Sequence, residues 1–185
     1  VLNNPVTGQV ALYLPRYGVN SNISQLEQTL INASIDNSIN VNLFATANNT
    51  FNSIDGNQNV YNWAVGAFDG GTMDANGVIN TSQIINLNQA AVWESAGGGS
   101  VSQSVQHEII ESYFGALQNK NNLNPGSSYF YNNNIFIAAH NATLNILPDV
   151  ARISRVYNTL QDGNYLLNFR GPNGTFPSHI VPRPF

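Results

Sequence analysis

The chain has no cysteine, one methionine, one lysine (Lys120) and very few charges of either sign. Its 185 residues hold 6 Lys plus Arg, 10 Asp plus Glu and 3 His, so that 9% are charged, against roughly 25% in an ordinary soluble domain. The absence of cysteine rules out disulfides and thiol chemistry but does not fix the compartment. Six cations and a pI near 5.1 argue against a nucleic-acid or anionic-membrane partner, because phosphate binding needs clustered Lys and Arg. No apolar run approaches the ~20 residues of a membrane-spanning helix, so no membrane insertion is expected.

What the chain has is amide. Asparagine occurs 31 times, and hydrophobic residues at 42% with aromatics at 10% supply a core, unlike a disordered sequence of low hydrophobicity and high charge. The expectation is a single domain over residues 1–185 with a surface of Asn, Ser and Thr that salt and pH barely alter. Such a surface suits an extracellular, cell-surface or virion-surface setting. The chain starts at Val1 without a Met or signal segment, so either a leader has been removed or the sequence begins inside a longer protein. Six sequons, at Asn22, Asn32, Asn48, Asn80, Asn141 and Asn173, exceed only slightly the roughly four that this composition gives by chance.

Hydrophobic periodicity predicts an α+β fold. Val10–Leu14 reads as a strand, 23–35 as a helix with Asn22 as N-cap, and Val41–Ala45 as a strand, together a β-α-β unit. A polar loop is expected over 48–59. Strands over 60–68 and 77–80 follow, joined by a Gly-rich turn from Asp69-Gly70-Gly71 through Asn76-Gly77. Short apolar runs, 84–87 and 90–93, precede a Gly-rich loop over 96–100. The clearest helix spans 102–118, ended by an Asn-rich stretch and Pro125. A second helical segment runs to Leu147 before Pro148, a further helix is expected over 150–160, and Tyr165–Phe169 closes as a strand. From about residue 171 a tail with four prolines is expected to be extended. The helices should thus concentrate after residue 100, behind a short-stranded N-terminal sheet.

The scarce ionisable groups cluster once, in the pentapeptide His107-Glu108-Ile109-Ile110-Glu111. On a helix His107 and Glu111 are four residues apart and project from one face, at the border of an apolar stripe of Val101, Val105, Ile109, Tyr113 and Leu117, widened by Ile110 and Phe114. Glu108 lies further round. An imidazole and a carboxylate at this spacing form a two-point clamp for Zn²⁺. The motif is HExxE, where zinc peptidases carry HExxH with the first Glu as general base. His140, in the apolar segment 135–140, supplies a third ligand if an antiparallel helix pair turns back through 119–128. Glu108 is then the candidate base. Two other readings remain open here: a buried His–carboxylate hydrogen-bonded pair without metal, and an ordinary solvated helix face.

The string HEIIESYFGAL followed by AAHNATL resembles the pattern HExxExYxGA…AHxxA of poorly characterised bacterial proteins, mostly from Bacteroidetes. The matching residues are His107, Glu108, Glu111, Tyr113, Gly115, Ala116, Ala139 and His140, with Ala142 one place short of the final alanine. The resemblance spans residues 107–143 and implies a zincin-like fold in which His107, Glu111 and His140 converge.

Other features point less strongly to chemistry. Gly97-Gly98-Gly99-Ser100 lacks the glycine after serine of a nucleophile elbow and reads as a loop. Asp69, Asp74 and Asn76 miss the EF-hand order and read as a turn. His179 in the tail reads as exposed. Arg152 and Arg155 lie one helical turn apart and pair most simply with Asp149 or Asp162. Tyr129, Phe130 and Tyr131, beside an Asn run, suit one core anchor with an exposed ring. The expected function is a zinc-dependent, peptidase-type hydrolase acting on a peptide or protein. The rival reading is a self-assembling structural protein of a virion, surface layer or filament, with a vestigial or absent metal site. A third is a secreted binding module for glycans or peptides.

Overall fold

The computed structural model describes residues 23–48, 65–95, 99–129 and 133–147 throughout, and outside them only isolated strands. In chain order the elements are β1 (Leu2–Asn3), β2 (Val10–Ala11), α1 (Gln25–Ile35), β3 (Ile39–Asn40), β4 (Leu43–Thr46), β5 (Thr50–Asn52), β6 (Val60–Asn62), β7 (Gly66–Met73) and β8 (Ile79–Asn86). There follow α2 (Leu87–Ser95), α3 (Val101–Asn119), a 3₁₀ turn (Lys120–Asn122), β9 (Ser128–Tyr129), α4 (Asn133–Ile146), β10 (Ser154–Thr159), β11 (Tyr165–Gly171), β12 (Gly174–Thr175) and β13 (His179–Val181). The fold is mixed α+β.

The sheet that positions the site is itself mixed. β3 and β4 both run parallel to β8, β8 is antiparallel to β7, and β7 is antiparallel to β9. Alternation along β8 turns Ile79, Thr81, Gln83 and Ile85 to one face, and all four are buried. Across this face lies α3, which also packs against α1, α2 and α4. The core cluster is Ile39, Phe68, Met73, Ile79, Tyr113, Ala116, Tyr129 and Ala139, drawn from β3, β7, β8, α3, β9 and α4.

The structure departs from the sequence reading at several places. β2, the part of the expected strand Val10–Leu14 that is described, pairs with β1, so among the described residues α1 does not connect neighbouring strands of one sheet as a β-α-β unit. The N-cap of α1 is Ser24, not Asn22. Its hydroxyl accepts from the Glu27 N–H at 3.2 Å while the Glu27 carboxylate accepts from the Ser24 N–H at 2.9 Å, a reciprocal capping box. The expected loop 48–59 holds strand β5, which pairs antiparallel with β6 at the start of the expected strand 60–68. β7 passes straight through Asp69-Gly70-Gly71, with a bulge between Phe68 and Gly70. The turn is confined to the second half of the expected one, Asp74–Gly77, where Asp74 Oδ1 accepts from the Asn76 and Val78 N–H groups and Gly77 takes φ +79°, a value glycine reaches without strain.

Helix α1 lies where a helix is expected over 23–35, α2 also precedes residue 100, and among the described residues no helix follows Ile146. The segment expected as a helix over 150–160 carries β10, antiparallel to β11, which in turn pairs with β12 and β13 from the tail. Val156, Tyr157 and Thr159 are β-branched or aromatic and suit a pleated surface, so pairing with β11 overrides the helical spacing.

Candidate metal centre

Helix α3 begins with its own capping box. The Ser100 hydroxyl accepts from the Gln103 N–H at 3.1 Å and the Gln103 side-chain oxygen accepts from the Ser100 N–H at 2.8 Å. This assigns Ser100, considered above as a nucleophile, to a helix cap. From there α3 runs antiparallel to β8, each helical turn meeting an alternate strand residue. The Gln83 side-chain amide donates to Glu108 Oε2, and one turn on the Ser112 hydroxyl donates to Thr81 Oγ1 at 2.7 Å. One more turn brings Gly115 over Phe68 so closely that a Cβ would overlap the ring. Glu111, between these contacts, is buried and faces α4.

The returning helix α4 carries His140 to the start of α3, as the sequence predicted. His107 Nε2 lies 3.2 Å from Glu111 Oε2 and 3.2 Å from His140 Nδ1, and His140 Nδ1 lies 3.5 Å from Glu111 Oε2. Three donor atoms thus form a nearly equilateral triangle, the one convergence of three such side chains among the described residues. The side chains of Glu111 and His107 are 3% and 12% exposed, that of His140 34%, so the triangle is open on the His140 side. Phe136, one turn before His140, stacks on its ring at 5.2 Å between centroids and 25° between planes, which fixes the imidazole's orientation.

The electrostatics suit a cation. Burial pushes the Glu111 carboxyl upward, but hydrogen bonds from His107 and His140, and their charge, outweigh it and hold the group below its ordinary value. Glu111 Oε2 meets both imidazoles, whereas the buried Oε1 has no hydrogen-bond partner among the described residues. A buried carboxylate oxygen without a partner costs about 1–3 kcal/mol, a cost that an ion held by both Glu111 oxygens would remove.

Glu108, expected to lie further round from the apolar stripe, is on an enclosed side of the helix. It is buried against the sheet, with one oxygen on Gln83, and a Cβ on Gly66 would overlap its carboxyl group. Gln83 and Gly66 went unnoticed in the sequence because neither belongs to a motif, and only the pairing of β7 with β8 brings them under α3. Tyr113, part of the HEIIESY string, points away from the triangle. Its hydroxyl donates to Asp36 Oδ2 at 3.2 Å, joining α3 to the end of α1, and burial with the Asp36 charge pushes the phenol up. Asp36 is held low chiefly by the Ser38 hydroxyl, which also receives Lys120 Nζ at 2.6 Å.

The remaining candidates separate. Asp69 is buried at the bulge, while Asp74 serves the turn, so no calcium loop forms from them. Tyr129 is the core anchor, its ring 6.3 Å from Phe68, and burial pushes its phenol well up. Phe130, Tyr131, Asp149, Arg152 and Asp162, and the side chains of Arg155 and His179, lie outside the described residues.

The chain matches no family model, no curated protein and no solved structure.

Proposed function

We propose that the chain is a zinc-binding, zincin-like hydrolase of peptidase type, with His107, Glu111 and His140 as ligands. The carrying observation is the triangle of donor atoms at 3.2, 3.2 and 3.5 Å. Ligand atoms at about 2.0–2.1 Å from a tetrahedral ion stand about 3.3–3.4 Å apart, whereas neighbouring ligands of an octahedral ion at the same bond length stand about 2.9 Å apart. The spacing therefore favours a tetrahedral ion, and two nitrogens with one carboxylate oxygen are a zinc donor set that keeps a fourth position open. Zinc would lower the pKa of water held there to about 7. His107 and Glu111 would hold the ion from the buried side, and His140 would complete the set at the open edge. Glu108, the next residue after a ligand, is the acid available as base, with Gln83 fixing one of its oxygens and Gly66 making room for it.

The Glu108–Gln83 bond also favours a second reading. A base already engaged by the sheet suits a site whose metal only fastens α4 to α3, in a structural or assembly protein of a cell or virion surface. Elemental analysis of the native protein tests the metal. About one zinc per chain, lost in Glu111→Gln and His140→Ala, is expected. No stoichiometric metal, with melting unchanged by chelator, overturns both readings of the site. Hydrolysis of a dye-labelled casein by the zinc form, abolished in Glu108→Gln with zinc retained, separates the enzyme from the fastener.

A further inference from the structure

We infer that the metal centre takes an uncharged substrate with a bulky apolar side chain next to the bond presented to the metal, and that Ile137 seats this side chain. The inference rests on the metal reading given above. Access to the triangle is across His140, because the other two ligands are nearly enclosed. On the surface of α4 the neighbours of His140 are the residues three before and four after it, Ile137 and Leu144. Ile137 is 52% exposed and Leu144 is half-buried, so the open edge of the site is bracketed by apolar side chains one turn to either side. Phe136 closes the inner face of the His140 ring.

Among the described residues, the two helix segments that flank the open edge supply no charge to select an ionic substrate. Asn133–Ile146 contains no Asp, Glu, Lys or Arg, and the first two turns of α3, Val101–Gln106, contain none either. A charged side chain brought to this edge would lose hydration and gain no counter-ion from these two segments. An apolar one would gain by covering Ile137, whose exposure has no structural use among the described residues. Glu108 and Glu111, the acids nearest in sequence, are buried and are held by Gln83 and by the two imidazoles, so they do not greet the incoming side chain.

The test uses the full chain loaded with Zn²⁺ and four hydroxamates as metal-directed probes: acetohydroxamate and the hydroxamates of N-acetylated leucine, glutamate and lysine. Metal content and dissociation constants are measured for wild type and for Ile137→Ser, an exposed position where folding should be unaffected. With zinc bound, the leucine probe is expected to bind at least about tenfold more tightly than the other three. In Ile137→Ser that advantage should fall to within about threefold, with zinc content unchanged. Equal binding of the four probes, tighter binding of a charged one, or no probe binding to the zinc form overturns the inference while leaving the metal site standing. Failure to bind zinc removes the metal reading and this inference together, and elemental analysis distinguishes that outcome from the others.

Discussion

His107 Nε2 and His140 Nδ1 stand 3.2 Å apart across the α3–α4 interface, 33 residues distant in sequence. An ion between them would fasten the two helices more firmly than a neutral hydrogen bond does. Zinc is therefore expected to stabilise the folded chain, by about 2.7 kcal/mol when free zinc is 100 times its dissociation constant. His140→Ala should abolish this gain and, because it also takes from the buried Glu111 one of its two imidazole partners, should cost the metal-free protein about 1 kcal/mol. Denaturant titrations with zinc and with chelator check both statements.

Glu111 gives the metal-free protein a defined acid sensitivity. Its carboxyl lies lower in the folded chain than the ordinary 4.5, so the native state favours the ionised form. That stabilisation is present above the ordinary value and is lost as pH falls through the folded one. Melting temperature of the chelated protein should fall with acidification below about pH 4.5, more steeply for wild type than for Glu111→Gln. Equal slopes would show that Glu111 is not held in its ionised form.

Gly115 sets two effects against each other. Alanine favours a helix interior over glycine by about 1 kcal/mol, but here its methyl group would overlap the Phe68 ring, and overpacking a core costs about 1–3 kcal/mol. Sterics should prevail, with Gly115→Ala losing about 1 kcal/mol. Combining it with Phe68→Leu should cost less than the two changes summed. Urea denaturation of the four proteins measures the coupling.

Ser100 should matter to the metal as well as to the helix. Ser100→Ala removes one half of the capping box and should cost about 1 kcal/mol. Because His107 is only two turns further along α3, fraying of its first turn should also weaken zinc binding several-fold. The equivalent change at Ser24, which caps α1, should cost similar stability and leave zinc affinity unaltered. Zinc titration of the two variants side by side tells local from global loosening.

Helices α3 and α4 and their pairing were legible because scarce ionisable residues stood on apolar, helically spaced segments bounded by Ser100, Pro125 and Pro148. The place of Glu108 was not. α3 is enclosed by a sheet and three other helices, and its sheet-side residues, Glu108, Ser112 and Asn119, are polar side chains with local or strand partners. A hydrophobic stripe therefore misjudges which side is inside. β10 was misread for a related reason. Ile153, Val156, Tyr157 and Leu160 fit a helical period as well as a strand, and β11, whose pairing decides between them, comes later in the chain. The N-terminal β-α-β failed because strand partnership is a long-range property: β3 and β4 find β8 some 40 residues on.

Gly66 has no side chain, and the Glu108 carboxyl occupies the space that one would take. Alanine at 66 should therefore turn that carboxyl away from Gln83. One methyl group on the strand would thus be enough to move the acid that follows His107 on the helix.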